Sequence, residues 1–158
     1  AGAHMVKLEG GLDQVAKTEY LTKRSIPVCA HLGLTPQSVN TLGGYRIQGR
    51  KEDGAQAMIA AAQAHEQAGA ALIVLECIPK QLAKTITELL SIPVIGIGAG
   101  VECDGQVLVL QDMLGIYPNS PSFSKNFLEA NGSIKGAIEA YVRDVKSSSF
   151  PTDQYSFN

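Results

Sequence analysis

Apolar positions come in short consecutive blocks along this chain, separated by longer stretches of mixed character. Five such blocks, at residues 5–8, 27–30, 71–75, 93–97 and 107–110, have strand-like length and β-branched content. Consecutive apolar positions, rather than strict alternation, predict parallel strands buried on both faces. Helical patterns fill the gaps at 12–23, 55–68, 79–90 and 134–146. The first places Val15, Ala16 and Leu21 at helical spacing and ends with Lys23 and Arg24, which suit the C-terminal dipole. The second is rich in alanine and stops at Gly69, a residue type that closes helices readily. Pro79 opens the third, where a first turn tolerates it. The fourth sets Ile138, Tyr141, Val142 and Val145 on one side, and the polar tail from 147 to 158 carries no predicted element.

Strands alternating with helices predict one α/β domain over 1–158 with a parallel sheet, either doubly wound or a barrel. Polar residues help to choose between them. Lys7 and Glu9, His31, Glu76 and the turn from Gly96 to Gly100 all fall where strands end. A (β/α)8 barrel draws its site from many strand ends, whereas a doubly wound sheet concentrates it at one switch point. The pattern favours the barrel, and five strands would make up part of one.

Composition narrows the classes of function. The chain has 158 residues, 45% of them hydrophobic and 18% charged, an ordinary globular balance. A net charge of −2 gives no expectation of nucleic acid or an anionic membrane as partner. No apolar run approaches a membrane span. Cys29, Cys77 and Cys103 match neither a metal-ligand spacing nor an even disulfide set, and read as reduced thiols of a cytoplasmic protein. The opening residues Gly2-Ala3-His4-Met5 read either as an expression scar or as a point partway along a larger protein.

The candidate chemistry starts in the segment HLGLTPQSVNTLGGYRIQGR, residues 31–50. It is long, polar and glycine-rich, and long loops inside compact domains are usually functional. Lys7 and Glu9 share a parity, so an extended backbone points both to one face, as a structural ion pair or as part of a site. His31 reads as a hydrogen-bonded core residue or a site residue. Glu76 ends the apolar run Leu72-Ile73-Val74-Leu75, and a carboxylate there needs a partner or a purpose. It suits a general base, or a partner for the helix starting near Pro79. The glycines from Gly96 to Gly100 fit an anion-binding turn or tight strand-to-helix packing.

Taken together, Lys7-Leu8-Glu9-Gly10-Gly11, the 31–50 block, Leu75-Glu76-Cys77-Ile78-Pro79 and IPVIGIGAG at 92–100 resemble the ketopantoate hydroxymethyltransferase family in order and spacing. The stretch DGQVLVLQDMLGI at 104–116 and Lys125-Asn126-Phe127 are similar too. Residues 117–122 and the tail depart from the family pattern, while Ala1-Gly2-Ala3-His4 resembles the family's own residues. The resemblance implies a (β/α)8 TIM barrel of the phosphoenolpyruvate/pyruvate-type superfamily, with this chain its C-terminal strand–helix units. The implied reaction moves the one-carbon unit of 5,10-methylenetetrahydrofolate to 3-methyl-2-oxobutanoate, giving 2-dehydropantoate for pantothenate synthesis. It further implies Mg2+, a homodecamer, and two metal-binding aspartates and a substrate-contacting serine upstream of these residues. By the same resemblance Lys7 and His31 bind substrate, Glu9 serves the metal and Glu76 accepts the proton. The runner-up functions are a Mg2+-dependent carbon–carbon lyase of the isocitrate lyase or phosphonopyruvate type, and a non-catalytic barrel fragment that only assembles.

Overall fold

The computed structural model describes residues 2–158; Ala1, the first residue of the opening segment weighed above, lies outside them. Five strands form one sheet: β1 (Val6–Glu9), β2 (Val28–Gly33), β3 (Leu72–Glu76), β4 (Val94–Ile97) and β5 (Gly105–Gln106). They lie in chain order and every neighbouring pair is parallel. The connections between the first four carry α1 (Val15–Thr22), α2 (Glu52–Gln67) and α3 (Lys80–Leu89). Beyond the sheet follow α4 (Leu110–Met113), α5 (Leu128–Asn131) and α6 (Ile134–Lys146).

Side-chain parity divides the sheet into two faces. Ala30, Leu32, Ile73, Leu75 and Val94 point to the face covered by Ala61 and Ala62 of α2 and Leu82, Ala83 and Ile86 of α3. These aliphatic chains make the principal core, and each fully buried one contributes about 1.5–3 kcal/mol. Residues of the other parity, Lys7, Glu9, Cys29, His31, Val74 and Glu76, share the opposite face. There Leu34, Cys77, Ile97 and Phe123 form a smaller cluster over which Phe157 packs. Burial on both faces, expected from the unbroken apolar runs, thus holds through the middle of the sheet.

His65 supports the end of β1 from behind. It is buried within α2, and its Nε2 lies 3.2 Å from Gly10 O and 3.1 Å from Gly11 O. Carbonyl oxygens only accept, so Nε2 carries the hydrogen and Nδ1 receives the Thr18 hydroxyl at 2.9 Å. One histidine therefore ties α1 and α2 to the turn that follows Glu9.

Three expectations are corrected. The fifth strand occupies residues 105–106, not 107–110. Its place is pinned by Asp104, whose Oδ2 accepts the Val94 N–H at 2.8 Å, and by Gly105, which lets Ile95 pack close. Val107 N–H still reaches Gly96 O, but β4 then turns away and Val107, Val109 and Leu110 are left exposed. The tail is packed rather than featureless. Phe150 is buried against Phe127 and Tyr141 with edge-on rings, a short 3-10 helix spans Asp153–Tyr155, and Phe157 bridges to Pro79. Finally, α6 buries Ala137 and Ala140 and leaves Ile138 and Val142 exposed, because small residues admit the rings of Phe127 and Phe150. Among the described residues no helix is long and apolar enough to cross a membrane.

Candidate active site

Strand register places the chemistry. Glu9 of β1 stands opposite His31 of β2, and Glu76 sits two residues beyond Val74, the partner of His31 on β3. All three side chains therefore project from one face at the C-terminal end of the sheet, with Lys7 one step behind. His31 lies inside β2, which runs on to Gly33, and not in the loop that follows it.

The contacts form an unbroken chain across the three strands. Lys7 Nζ is 3.0 Å from Glu9 Oε1, and His31 Nδ1 is 3.2 Å from the same oxygen. Glu9 Oε2 accepts the backbone N–H of Gln37 at 3.2 Å, which anchors the 31–50 segment to the cluster. An ionised carboxylate only accepts, so His31 Nδ1 carries the hydrogen toward Glu9. On the far side His31 Nε2 is 3.1 Å from Glu76 Oε2. The geometry is not that of a hydrogen bond, and Nε2 has no hydrogen-bond partner among the described residues. A fully buried ring nitrogen without a hydrogen bond is uncommon and marks a place where chemistry or a ligand is expected.

Burial pushes the Glu9 carboxyl upward, but the Lys7 ammonium, the Gln37 N–H and the His31 ring outweigh it and hold it below its ordinary value of 4.5. A carboxyl depressed on folding contributes stability that is complete above its unfolded value and lost as pH falls through the folded one. Thermal unfolding of wild type and Glu9→Gln from pH 6 to pH 3 checks this. Their stability gap should narrow once the pH drops below about 4.5. A gap that stays constant would show that Glu9 gains nothing from its partners.

Cys77, directly after Glu76, has a left-handed backbone with φ 50°. Its N–H donates to Ile97 O and its carbonyl accepts Gln48 N–H, so two neighbouring segments hold the strained residue. Burial and the adjacent Glu76 carboxylate push the Cys77 thiol up to about 12, and burial lifts Cys103 to about 11. Neither supplies a thiolate at neutral pH, in keeping with three unpaired thiols.

Lys7, His31 and Glu76 open into a cavity of about 970 Å³. Its walls include Tyr45 and Arg46 of the long loop, Asp112 of α4, Phe123, and Phe157 from the tail. Tyr117, Asn119, Pro121 and Ser122, where the sequence departs from the family pattern, form part of the same wall. Glu9 also borders a second cavity of about 540 Å³, between the Gly10-Gly11 turn, the long loop and α2. The Gly96–Gly100 turn serves packing. A Cβ on Gly98 would meet Phe123 at 2.9 Å, and one on Gly100 would meet Lys80 at 2.5 Å.

All four residues singled out in the sequence meet in this cluster. Phe157 gave no signal, since a tail residue reaches the site only through tertiary packing. Asp112 did leave one, a carboxylate inside the apolar stretch 107–116.

The profile of the ketopantoate hydroxymethyltransferase family matches residues 1–153. The chain belongs to that family. It is 60% identical over 157 residues to 3-methyl-2-oxobutanoate hydroxymethyltransferase of Thiobacillus denitrificans, covering 99% of this chain and 60% of the relative. The proteins of the same name from Neisseria meningitidis and Proteus mirabilis are each 56% identical over 158 residues, covering 99% and 100% of this chain and 60% of each relative. The chain thus spans about 60% of the length of the curated relatives it matches.

Proposed function

We propose that this chain carries the acid–base half of a site that transfers a hydroxymethyl group from 5,10-methylenetetrahydrofolate to 3-methyl-2-oxobutanoate, giving 2-dehydropantoate in pantothenate synthesis. The observation that carries the reading is the unbroken run of contacts Lys7–Glu9–His31–Glu76, of which Lys7, His31 and Glu76 line one large cavity. Glu76 is the base. Its side chain is 15% exposed, so it is shielded yet open to the cavity, and it takes the proton from C3 of the keto acid. Electrons of the broken C3–H bond pass toward the ketone oxygen, where the Lys7 ammonium meets the developing negative charge. Water adds to the one-carbon unit and both of its C–N bonds break, releasing tetrahydrofolate with its N–H groups restored and leaving the carbon as formaldehyde. The carbon nucleophile attacks that carbonyl carbon, and the oxygen takes the proton held by Glu76 to become the hydroxyl group of the product. His31 is a positioning residue: Glu9 fixes its ring, and Nε2 stands beside the Glu76 carboxylate.

Magnesium fits the cluster at one point. Oε1 of Glu9 is engaged by Lys7 and His31, whereas Oε2 has only the Gln37 N–H and keeps a lone pair for a hard cation or its water. Among the described residues no group of three or more His, Cys, Asp or Glu side chains converges to hold an ion. Glu9 would therefore hold Mg2+ jointly with the oxygens of the α-keto acid and other ligands. When bound, the ion supplies polarisation of the ketone and so acidifies C3.

The fold reading extends in the same direction. Five parallel strands in chain order, with helices on one face and the chemistry at the C-terminal strand ends, support a (β/α)8 barrel of the phosphoenolpyruvate/pyruvate type. No observation favours the carbon–carbon lyase. The test is product analysis with the native polypeptide, both substrates and Mg2+. Formation of 2-dehydropantoate is expected, and its absence would overturn the reading.

A further inference from the structure

We infer that the Asp112 carboxylate is the recognition point for the ring of the one-carbon donor, binding a planar heterocycle that offers two adjacent N–H donors on one edge. The inference rests on the hydroxymethyl-transfer reading and assigns a residue to its second substrate. An aminopyrimidinone presents such an edge, and a carboxylate with its two oxygens matches it.

Burial sets Asp112 apart. It is 8% exposed, and it lines the same cavity as Lys7, His31 and Glu76. Other shielded carboxylates have neighbours of opposite or donor character: Glu9 has Lys7, His31 and Gln37, Glu76 has the His31 ring, and Asp144 has Lys125. No ion pair or side-chain hydrogen bond reaches Asp112 from the described residues. Its backbone is paired within the turn, the N–H donating to Val109 O and the carbonyl accepting Gly115 N–H, so only the carboxylate is left without a partner. The carboxylate is not among the sealed, unpartnered polar atoms of the interior; it borders the cavity, where a donor arriving with a ligand can meet it.

The rest of the cavity suits a flat ring. Tyr45, Tyr117, Phe123 and Phe157 line it, four of the nine aromatic side chains in the sequence. Phe123 and Phe157 meet edge to face at 6.2 Å, so their orientation is fixed before any ligand enters. Val107 and Val109 add apolar wall on either side of the approach to α4. Apolar walls with one or two placed polar groups are the usual form of a site for a small organic molecule. Asp112 orients the ring from one wall, while Glu76 serves the keto acid on the floor.

The experiment compares Asp112→Asn and Asp112→Glu with wild type in the native polypeptide. Three quantities are read: tetrahydrofolate affinity by fluorescence titration, deuterium exchange into 3-methyl-2-oxobutanoate without folate, and the melting temperature. For Asp112→Asn, tetrahydrofolate affinity should fall by about 10- to 100-fold, while folate-free exchange should fall by no more than about threefold. Asp112→Glu should lie between the two. The melting temperature of Asp112→Asn should stay close to that of wild type, since the carboxylate makes no side-chain hydrogen bond or ion pair that the amide would lose. Unaltered tetrahydrofolate affinity, a lowered melting temperature, or loss of exchange in step with binding would overturn the inference. If wild type binds tetrahydrofolate but neither exchanges nor transfers, the hydroxymethyl-transfer reading fails, while the binding titration still decides the role of Asp112.

Discussion

Glutamine in place of Glu76 should slow loss of the C3 hydrogen of 3-methyl-2-oxobutanoate to solvent by about 10²- to 10⁴-fold, with keto-acid affinity little altered. The amide keeps the shape of the side chain beside His31 Nε2 but cannot take a proton. Lys7 and Glu9 retain their mutual contact at 3.0 Å, so the groups that hold the keto acid are undisturbed. Exchange of solvent deuterium followed by NMR separates this step from the folate chemistry. Exchange at the wild-type rate would move Glu76 to a structural role, as a partner of His31 alone.

Alanine at Gly33 should be the most damaging small substitution in the fold. Gly33 closes β2 with φ 93°, and a Cβ there would overlap the carbonyl oxygen of Glu76. That oxygen accepts Leu34 N–H at 2.8 Å, the bond that brings the long loop back across β3. Positive φ and a backbone clash together should cost about 2–4 kcal/mol, or about 5–15 °C in melting temperature. Gly44→Ala is the control. Its φ is 109°, but a Cβ there would meet nothing within 4 Å, so it should lose only the conformational part. Equal losses at the two glycines would show that the approach of Gly33 to Glu76 is not what holds this corner.

Much of the site was legible because strand geometry is regular. Lys7 and Glu9 share parity, and consecutive parallel strands bring their C-terminal ends side by side, so His31 and Glu76 had to lie near them. Where local pattern and packing diverged, the sequence misled. Residues 107–110 look like a strand, yet Asp104 and Gly105 set the ladder two residues earlier, and nothing apolar at 107–110 encodes that. Helix α6 carries larger apolar residues than the ones it buries, because Ala137 and Ala140 permit the close approach of aromatic rings. His65 supports the Gly10-Gly11 turn across more than fifty residues of chain, and Phe157 reaches the cavity by pairing with Pro79. Contacts at such separations leave no periodic trace.

Whether the cluster in the larger cavity acts on the keto acid is read from the position of 3-methyl-2-oxobutanoate in crystals of the native polypeptide grown with Mg2+. The predicted result places C3 about 3–3.5 Å from a Glu76 carboxylate oxygen, with Lys7 at the oxygens of the keto acid. Keto acid seated instead in the cavity between the Gly10-Gly11 turn and α2, beyond the reach of Glu76, would contradict it.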